Sequence, residues 1–277
     1  MIQESKLNQI KIMIKNKFVT RKISVAVATL LLAFSTQAAD NSIYLEQAGD
    51  NATITMLQDG ASNRIRSIQG TGTGNTTPSR IIGDAITVDI RQIGSGNILN
   101  LGVDTTTANG ASPTSITYKV TGNNAVGTIN LNNSGQGISA SQTVNIDQSG
   151  DGAIANLNLL GSRNSLQVIQ AGGNNNKFIA TINASDTVVT VNQTGGGGNE
   201  TTLNLTGDKG QVDITSIGST NITSVTQSGG GALGHYAKLD ITGSGNTTTI
   251  NQSGTIDTTV NLKSTGSGNT FNITTRN

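Results

Sequence analysis

The sequence predicts an all-β protein, a β-solenoid built from strand-and-turn arcs of about eleven residues. Two observations predict it: inward and outward residues alternate, and that alternation recurs at a nearly fixed spacing. Residues 142–148 alternate with a period of two, as a half-buried strand does, and turn-forming residues follow at 149–152. The strand residue Gln148 recurs eleven residues later as Leu159 and eleven later again as Gln170.

The recurring position, which we call the anchor, repeats along most of the chain. The anchors fall at Gln47, Gln58, Gln69, Ile81, Gln92, Val120, Asn133, Gln148, Leu159, Gln170, Ile182, Gln193, Leu205, Ser216, Gln227, Ile241, Gln252 and Ser264. Their spacing is eleven to fifteen residues, except for a gap of 28 between Gln92 and Val120. Glycine stands two residues after every anchor except Gln69 and Ile182. Such self-similarity at a short period is typical of a solenoid.

Many anchors are followed five residues later by asparagine, which the spacing places on the same strand face as the next anchor. Two aliphatic residues such as Val189 and Val191 lie between them, whereas charged residues such as Asp213 take the opposite face. Stacking the arcs at roughly 4.7–4.8 Å would bury the apolar face and place amide above amide, forming ladders. The predicted ladder residues are Gln47, Gln58, Gln69, Gln92, Gln148, Gln170, Gln193, Gln227, Gln252, Asn63, Asn97, Asn164, Asn175, Asn221, Asn246 and Asn269.

Residues 1–39 are predicted to be an export signal. Six basic residues precede an apolar run at 23–34, which is too short to span a bilayer, and Ala38 and Ala39 suit cleavage. Six of the 17 basic and one of the 16 acidic residues lie in this segment, leaving 11 basic and 15 acidic residues. No basic patch remains, so nucleic acid is not a predicted partner.

Residues 40–277 are predicted to form a single β-solenoid domain with loop insertions near 70–85, 102–115 and 231–238. The repeat loses step at these places, and Pro78 and Pro113, the two prolines of the chain, fall in the first two of them. Proline cannot donate to a strand ladder, so this placement supports the strand assignment elsewhere. With 35 glycines, 3% aromatic residues and no cysteine, the chain has neither a conventional core of large side chains nor disulfides.

Both ends of the repeat are expected to be open strand edges. Ile43 and Leu45 belong to the first arc, and Phe271 and Ile273 belong to the last. No capping helix is predicted at either end, although solenoids normally need caps for solubility. These four residues are therefore the predicted polymerisation edges, where unpaired backbone would bind the next molecule head to tail.

One motif in the repeat resembles a known family. The sequence Gln-Ile-Gly-Ser-Gly-Asn at 92–97, and the Gly-Ser-Gly-Asn runs at 243–246 and 266–269, are similar to the repeat unit of the curlin family, the subunits of bacterial curli fibres. The resemblance implies a curlin-like β-solenoid of about nine turns, with two arcs of about eleven residues in each turn. It also implies a protein secreted through the outer membrane of a Gram-negative-type bacterium, which polymerises into amyloid fibres of the biofilm matrix.

The same resemblance implies the partners: other copies of this chain in a head-to-tail homopolymer, other curlin-like subunits and an outer-membrane export machinery. It leaves open whether the chain is the major subunit, a nucleator or an adhesive relative.

No catalytic, cofactor-binding or metal site is predicted, and the chain is interpreted as not being an enzyme. His235, the only histidine, has no spaced partner for a nucleophile–base pair or a zinc site and is interpreted as a surface or loop residue. The carboxylates are scattered over outward strand positions.

Two alternative functions stay open at this point. One is a β-solenoid surface adhesin that binds carbohydrate or abiotic surfaces through the inserted loops. The other is an ice-binding solenoid, suggested by threonine runs at 105–107 and 247–249. That function needs a flat, repeated threonine array, which charged outward residues are expected to interrupt.

Overall fold

A computed structural model of the chain describes residues 12–13 and most of residues 43–276. Residues 1–11, 14–42, 66–78, 105–113, 133–141 and 230–233 lie outside the description, as do short gaps elsewhere, mostly in turns. Most of the predicted export signal is therefore outside it. Where the structure is described, no helix is both long and apolar enough to cross a membrane.

The described residues form strands joined by turns. In chain order the strands are β1 (Ile12–Met13), β2 (Leu45–Ala48), β3 (Thr53–Asp59), β4 (Ser79–Ile82), β5 (Thr87–Ile93), β6 (Ile98–Asp104), β7 (Thr114–Thr121), β8 (Val126–Asn132), β9 (Gln142–Ser149), β10 (Ile154–Ser162), β11 (Asn164–Ala171), β12 (Lys177–Ser185), β13 (Val188–Thr194), β14 (Gly198–Thr206), β15 (Gln211–Ile217), β16 (Thr220–Ser228), β17 (Tyr236–Thr242), β18 (Thr247–Ser253), β19 (Thr259–Thr265) and β20 (Phe271–Thr275).

These strands alternate between two parallel sheets. An eleven-stranded sheet has the order β1-β2-β4-β6-β8-β10-β12-β14-β16-β18-β20, and a nine-stranded sheet runs from β3 to β19 through the odd-numbered strands. From β2 onward each strand pairs with the strand two places away in the chain, as β3 does with β5 and β10 with β12. The chain therefore winds through one strand of each sheet per turn, and the predicted β-solenoid with two arcs per turn is confirmed.

The anchors form one continuous column in each sheet. In the nine-stranded sheet the column is Gln58, Gln92, Val120, Gln148, Gln170, Gln193, Ser216, Ile241 and Ser264. In the eleven-stranded sheet it is Gln47, Ile81, Val103, Leu131, Leu159, Ile182, Leu205, Gln227, Gln252 and Thr275. The sequence did not identify Val103, Leu131 or Thr275 as anchors. The predicted anchor Asn133, two residues after Leu131, lies outside the described residues. Glutamine collects in the first column because glutamine and aliphatic anchors alternate through the middle of the sequence.

The apolar core lies between the two sheets. Aliphatic residues two and four positions before the anchors face it, and Val189, Val191, Val212 and Ile214 are all at most 1% exposed. Burying a side chain of this size contributes about 1.5–3 kcal/mol. A lone arc cannot bury such a face, so the core exists only because neighbouring turns cover one another.

Glycine follows the anchor because the backbones of neighbouring turns approach closely there. A Cβ atom on Gly243 would overlap the carbonyl oxygen of Gly218, and a Cβ atom on Gly266 would overlap the carbonyl oxygen of Gly243. The N–H of Gly243 donates to the carbonyl of Thr265 over 2.9 Å, which continues the ladder into the turn. Any larger residue at these positions would force the turns apart.

The predicted insertion at 102–115 is wrong at both ends. Residues 102–104 belong to β6, which pairs with β4 and β8, and residues 114–115 belong to β7. The part between them, 105–113, lies outside the described residues. Val103 is an anchor eleven residues after Gln92, and the sequence pattern missed it because it is aliphatic and lacks a following glycine.

The other two predicted insertions are also too wide. In the first of them, residues 79–82 form β4, and residues 66–78 lie outside the described residues. Before that gap, Ile65 forms isolated parallel bridges with Ile43 and with Leu99, so it belongs to the same turn of the solenoid as β4. Residues 236–238 begin β17, and the carbonyl of His235 accepts a ladder hydrogen bond from Thr259 over 3.0 Å. Strand pairing continues in both segments because their inward residues keep the period of two.

Candidate functional site

A stack of buried glutamines runs along the nine-stranded sheet. Gln170 donates from Nε2 to Oε1 of Gln148 over 2.9 Å, and Gln193 donates to Oε1 of Gln170 over 2.8 Å. Gln92 donates in the same way to Gln58 over 2.7 Å. All five side chains are fully buried. The amides therefore bond to one another along the rod axis, as the spacing predicts.

The second amide hydrogen of the ladder glutamines closes the turn that follows them. Nε2 of Gln170 also donates to the carbonyl of Lys177 over 3.0 Å, and Nε2 of Gln193 donates to the carbonyl of Glu200 over 3.0 Å. Equivalent bonds join Gln58 to Arg64, Gln92 to Ile98, Gln148 to Ile154 and Gln227 to Tyr236. Each of these amides thus bonds to the neighbouring turn and also holds the start of the next strand close to its own strand. Sequence analysis missed this second role, although its signal is the regular distance from each glutamine to the next strand.

Val120 interrupts the glutamine ladder, and Tyr118 supplies a hydrogen-bond donor to the glutamine on one side of the interruption. Val120 occupies the column between Gln92 and Gln148 and carries no amide. The fully buried hydroxyl of Tyr118 donates to Oε1 of Gln92 over 2.8 Å. Gly127 makes room for the ring, since a Cβ atom there would lie 2.7 Å from Cε1 of Tyr118. Burial raises the pKa of Tyr118 well above its ordinary value, so the hydroxyl keeps its proton.

Replacing Tyr118 with Phe is expected to lower the free energy of unfolding by about 1–3 kcal/mol, because Oε1 of Gln92 loses its donor. The raised pKa of folded Tyr118 stabilises the fold below pH about 10, and that contribution is lost as the pH rises further. The variant should therefore lose less stability above pH about 10 than the parent does. Denaturant unfolding at several pH values measures both effects.

The exposed Tyr236 provides the control, since Tyr236→Phe should leave both measurements almost unchanged. Equal stability of Tyr118→Phe and the parent at neutral pH would contradict a stabilising hydrogen bond from Tyr118 to Gln92.

Two buried asparagines, Asn221 and Asn246, pair across neighbouring turns of the eleven-stranded sheet. Nδ2 of Asn246 donates to Oδ1 of Asn221 over 2.7 Å. Asn221 and Asn269 instead donate to the hydroxyls of Ser216 and Ser264, five residues before them. Where the anchor is serine instead of glutamine, its hydroxyl therefore bonds to the asparagine at the start of the next arc.

Most of the predicted ladder residues face the interior. The buried members are Gln47, Gln58, Gln92, Gln148, Gln170, Gln193, Gln227, Gln252, Asn97, Asn164, Asn221 and Asn246. Asn269 is exposed because it lies in the outermost turn. The prediction for Asn175 is wrong: it is exposed, because the twelve-residue arc after Gln170 moves it one position out of the column. Asn63 and Gln69 lie outside the described residues.

His235 lies in the connection before β17, as the sequence suggested, but it is buried rather than on the surface. It is 1% exposed, and neither ring nitrogen makes a hydrogen bond within the described part of the chain. β15 and β17 pair with Gln211 opposite Tyr236, so His235 and Gly210, which come just before them, are stacked on each other. His235 therefore continues an inward-facing column. No group of three or more histidine, cysteine, aspartate or glutamate side chains in the described residues could hold a metal ion.

The outer faces of the two sheets differ in how their charges are distributed. The eleven-stranded sheet carries an ion pair near the start of β12 and β14, Lys177 with Glu200 at 2.9 Å. The nine-stranded sheet carries ion pairs between neighbouring turns, Lys119 with Asp147 at 2.8 Å and Lys238 with Asp213 at 3.3 Å. The central outward columns of the eleven-stranded sheet, from β8 to β18, contain no charged residue, and we call them the neutral face. It comprises Thr128, Asn130, Asn132, Asn156, Asn158, Leu160, Ile179, Thr181, Asn183, Thr202, Asn204, Thr206, Ser224, Thr226, Ser228, Thr249, Asn251 and Ser253.

β19 and β20 form an open edge at one end of the rod. Phe271 and Ile273 on β20 are 46% and 45% exposed, and Val260 and Leu262 on β19 only partly cover the core. These four residues and Ser264 line an open groove of about 620 Å³. Among the described strands, β19 pairs only with β17 and β20 only with β18. Each strand therefore leaves one backbone edge free.

The other end of the rod is covered. Leu45 is 6% exposed and Ile43 is half-buried, while Ile54 and Met56 on β3 are also buried. β1 pairs with β2 at Leu45 and its neighbour. Leu45 is therefore covered in the full chain, whereas its role as a polymerisation edge concerns the chain without residues 1–39 and stays a prediction. Because β1 lies inside residues 1–39, cleavage of the predicted export signal would remove this pairing.

Comparison with known proteins assigns no family to the chain. No family model matches it, and neither the curated proteins nor the solved structures provide a match. The function is therefore argued from the ladders, the outer faces and the open edge.

Proposed function

We propose that this chain is a secreted structural protein that assembles head to tail into curli-like amyloid fibres of the extracellular matrix. Its partners in the fibre are other copies of itself and other curlin-like subunits. Residues 1–39 direct its export from a Gram-negative-type bacterium, and an outer-membrane machinery releases it to the cell surface.

The interior of the rod supports this proposal because it already has the construction of an amyloid fibre. Parallel strands stack in register, and identical amides bond along the axis, as between Gln148, Gln170 and Gln193. A further turn supplied by another molecule would continue the same parallel, in-register strand pairing.

The observation that carries the proposal is the open edge of β19 and β20. Phe271 and Ile273 continue the rows of core side chains, yet nearly half of each is exposed. Free backbone groups run beside them on both strands. A monomeric protein normally blunts such an edge with charge, proline or a cap, because it pairs readily with another strand.

Seeded assembly tests the proposal. The protein, exported and processed by a bacterial host, should pass from a soluble form to fibres that bind thioflavin, with a lag that preformed fragments shorten. Light scattering and electron microscopy follow the same transition. Protein that stays monomeric for days at high concentration, with seeds present, would contradict it.

A second candidate function, a surface adhesin, is favoured by the neutral face. Its hydroxyls and amides repeat every turn without charge, and Nδ2 of Asn158 donates to Oδ1 of Asn130 over 2.7 Å on its surface. Such a face matches a neutral polysaccharide better than an anionic one.

Sedimentation with an insoluble neutral glycan tests the adhesin function. Thr202 and Thr226 lie at the centre of the neutral face, and replacing both with glutamate should abolish binding because it places charge there. Thr190 and Thr215 point outward from the nine-stranded sheet, so the same replacement at these two residues should leave binding unchanged. Parent protein that stays in the supernatant would reject this function.

A further inference from the structure

The solenoid contains an unpaired half-turn at its open edge. From β2 to β20 the strands alternate between the sheets, and both β2 and β20 belong to the eleven-stranded sheet. β20 therefore has no strand opposite it at its own level, and the groove beside it exposes Val260 and Leu262 of β19. One more strand is needed to complete the turn.

A second copy in the same orientation would not supply that strand. Its β2 would lie on β20 and its β3 would lie one level too high to pair with β19. A gap one strand wide would remain at every junction, with the backbone of β19 unpaired and Leu262 uncovered. An unpaired buried backbone group costs about 1–3 kcal/mol, and several would be left in each gap.

We propose that successive copies in the fibre are related by a half-turn about the rod axis. This inference rests on the proposed head-to-tail assembly and specifies its geometry. After the half-turn, β2 of the second copy lies on β19 and β3 lies on β20. The rotation is permitted because the strands of both sheets carry the same pattern of inward residues. The nine-stranded sheet of one copy is therefore continued by the eleven-stranded sheet of the next copy, and the eleven-stranded sheet by the nine-stranded one.

The side chains match in this arrangement. Continuing the anchor columns places Ile43 and Leu45 of the second copy on Val260 and Leu262 of the first. On the opposite strand it places Ile54 and Met56 on Phe271 and Ile273. Every apolar residue of the open edge then meets an apolar residue.

The polar columns match as well. Gln47 of the second copy lies on Ser264 of the first, and Gln58 lies on Thr275. Each amide therefore lies on a hydroxyl at the junction, in the same kind of column position that Gln193 and Ser216 occupy inside the rod. β1 must leave β2 for the junction to form, and it belongs to the predicted export signal.

The half-turn has a measurable consequence in the fibre. The strands from β2 to β20 make nine and a half turns, which at about 4.8 Å per turn give a rise of about 46 Å per copy. Because neighbouring copies are rotated, the true axial repeat is about two copies, or about 91 Å, apart from any twist of the rod.

Cysteine pairs distinguish the two orientations in the exported and processed chain, since the sequence contains no cysteine of its own. Ala48, Thr265 and Arg276 all lie one position after an anchor and are exposed. In the half-turn junction Ala48 pairs with Thr265, and in the unrotated junction it pairs with Arg276. Paired residues lie about 4.8 Å apart, within reach of a disulfide, whereas the two sheets are about 10 Å apart.

Fibres of the double variant Ala48→Cys/Thr265→Cys, oxidised after assembly, should give a ladder of covalent oligomers on a denaturing gel. The matched variant Ala48→Cys/Arg276→Cys should give none. The reverse result, or fibres of both variants without cross-links, would overturn the half-turn. A 46 Å repeat without rotation in electron images of the parent fibre, about one copy long, would overturn it too. Failure of the parent chain to form fibres would instead reject the proposed assembly itself.

Discussion

Replacing both Phe271 and Ile273 with lysine is expected to stop fibre growth while leaving the rod folded. The two side chains are 46% and 45% exposed in the single chain, so the fold loses little when they change. Growth would bury both of them against the next copy. Losing that burial costs about 3 kcal/mol or more, so seeded elongation should slow by roughly a hundredfold. Lysine on a strand edge also opposes pairing directly.

Ile217 and Ile222 provide the matched control for this prediction. They are 47% and 43% exposed, but they lie on the outer faces of the sheets rather than on the open edge. The double variant Ile217→Lys/Ile222→Lys should elongate at nearly the parent rate. Normal elongation of the Phe271 and Ile273 variant, measured with thioflavin and parent seeds, would exclude the open edge as the growing end.

Replacing Gln170 with leucine is expected to destabilise the rod by about 2–6 kcal/mol, although it preserves most of the side-chain volume. Gln170 stands at the centre of the ladder: it donates to Gln148 and accepts from Gln193. Leucine would leave Oε1 of Gln148 without its donor and one amide hydrogen of Gln193 without its acceptor. Both atoms are buried, so water cannot replace the lost partner.

The exposed amide pair of Asn130 and Asn158 provides the control. Asn158→Leu removes a hydrogen bond of 2.7 Å at the surface, where water can take its place, so stability should change by less than about 1 kcal/mol. Denaturant unfolding compares the two variants with the parent. Equal losses of unfolding free energy in both variants would contradict a special stabilising role of the buried glutamine ladder.

The strand pattern was predictable because the inward positions follow a strict period. Alternation of apolar and polar residues identified the faces of strands such as β9, β11 and β13, and the eleven-residue spacing identified their stacking. It also predicted that the anchor glutamines Gln148, Gln170 and Gln193 face the interior. An amide at a fixed inward position is tolerable only where a neighbour pairs with it, so its recurrence predicts the ladder.

Some features depend on the length and composition of single turns and were missed. Val103 is an anchor without glutamine or a following glycine, so the strand at Ile98–Asp104 was assigned partly to a loop. One extra residue in a turn moved Asn175 out of its column. His235 is buried because strand pairing begins directly after it, which its glycine-rich neighbourhood concealed.

By itself the sequence determined the repeating arc, the direction in which each side chain points and the need for amides to stack, because these follow from local periodicity. Only the tertiary structure decided which arcs share a sheet, and hence that the longest run of stacked glutamines lies in the nine-stranded sheet and the neutral face on the other sheet. It also decided that one end of the rod is covered and the other open. These properties depend on which strands pair across turns, and the residue periodicity within one strand does not indicate which distant strand pairs with it.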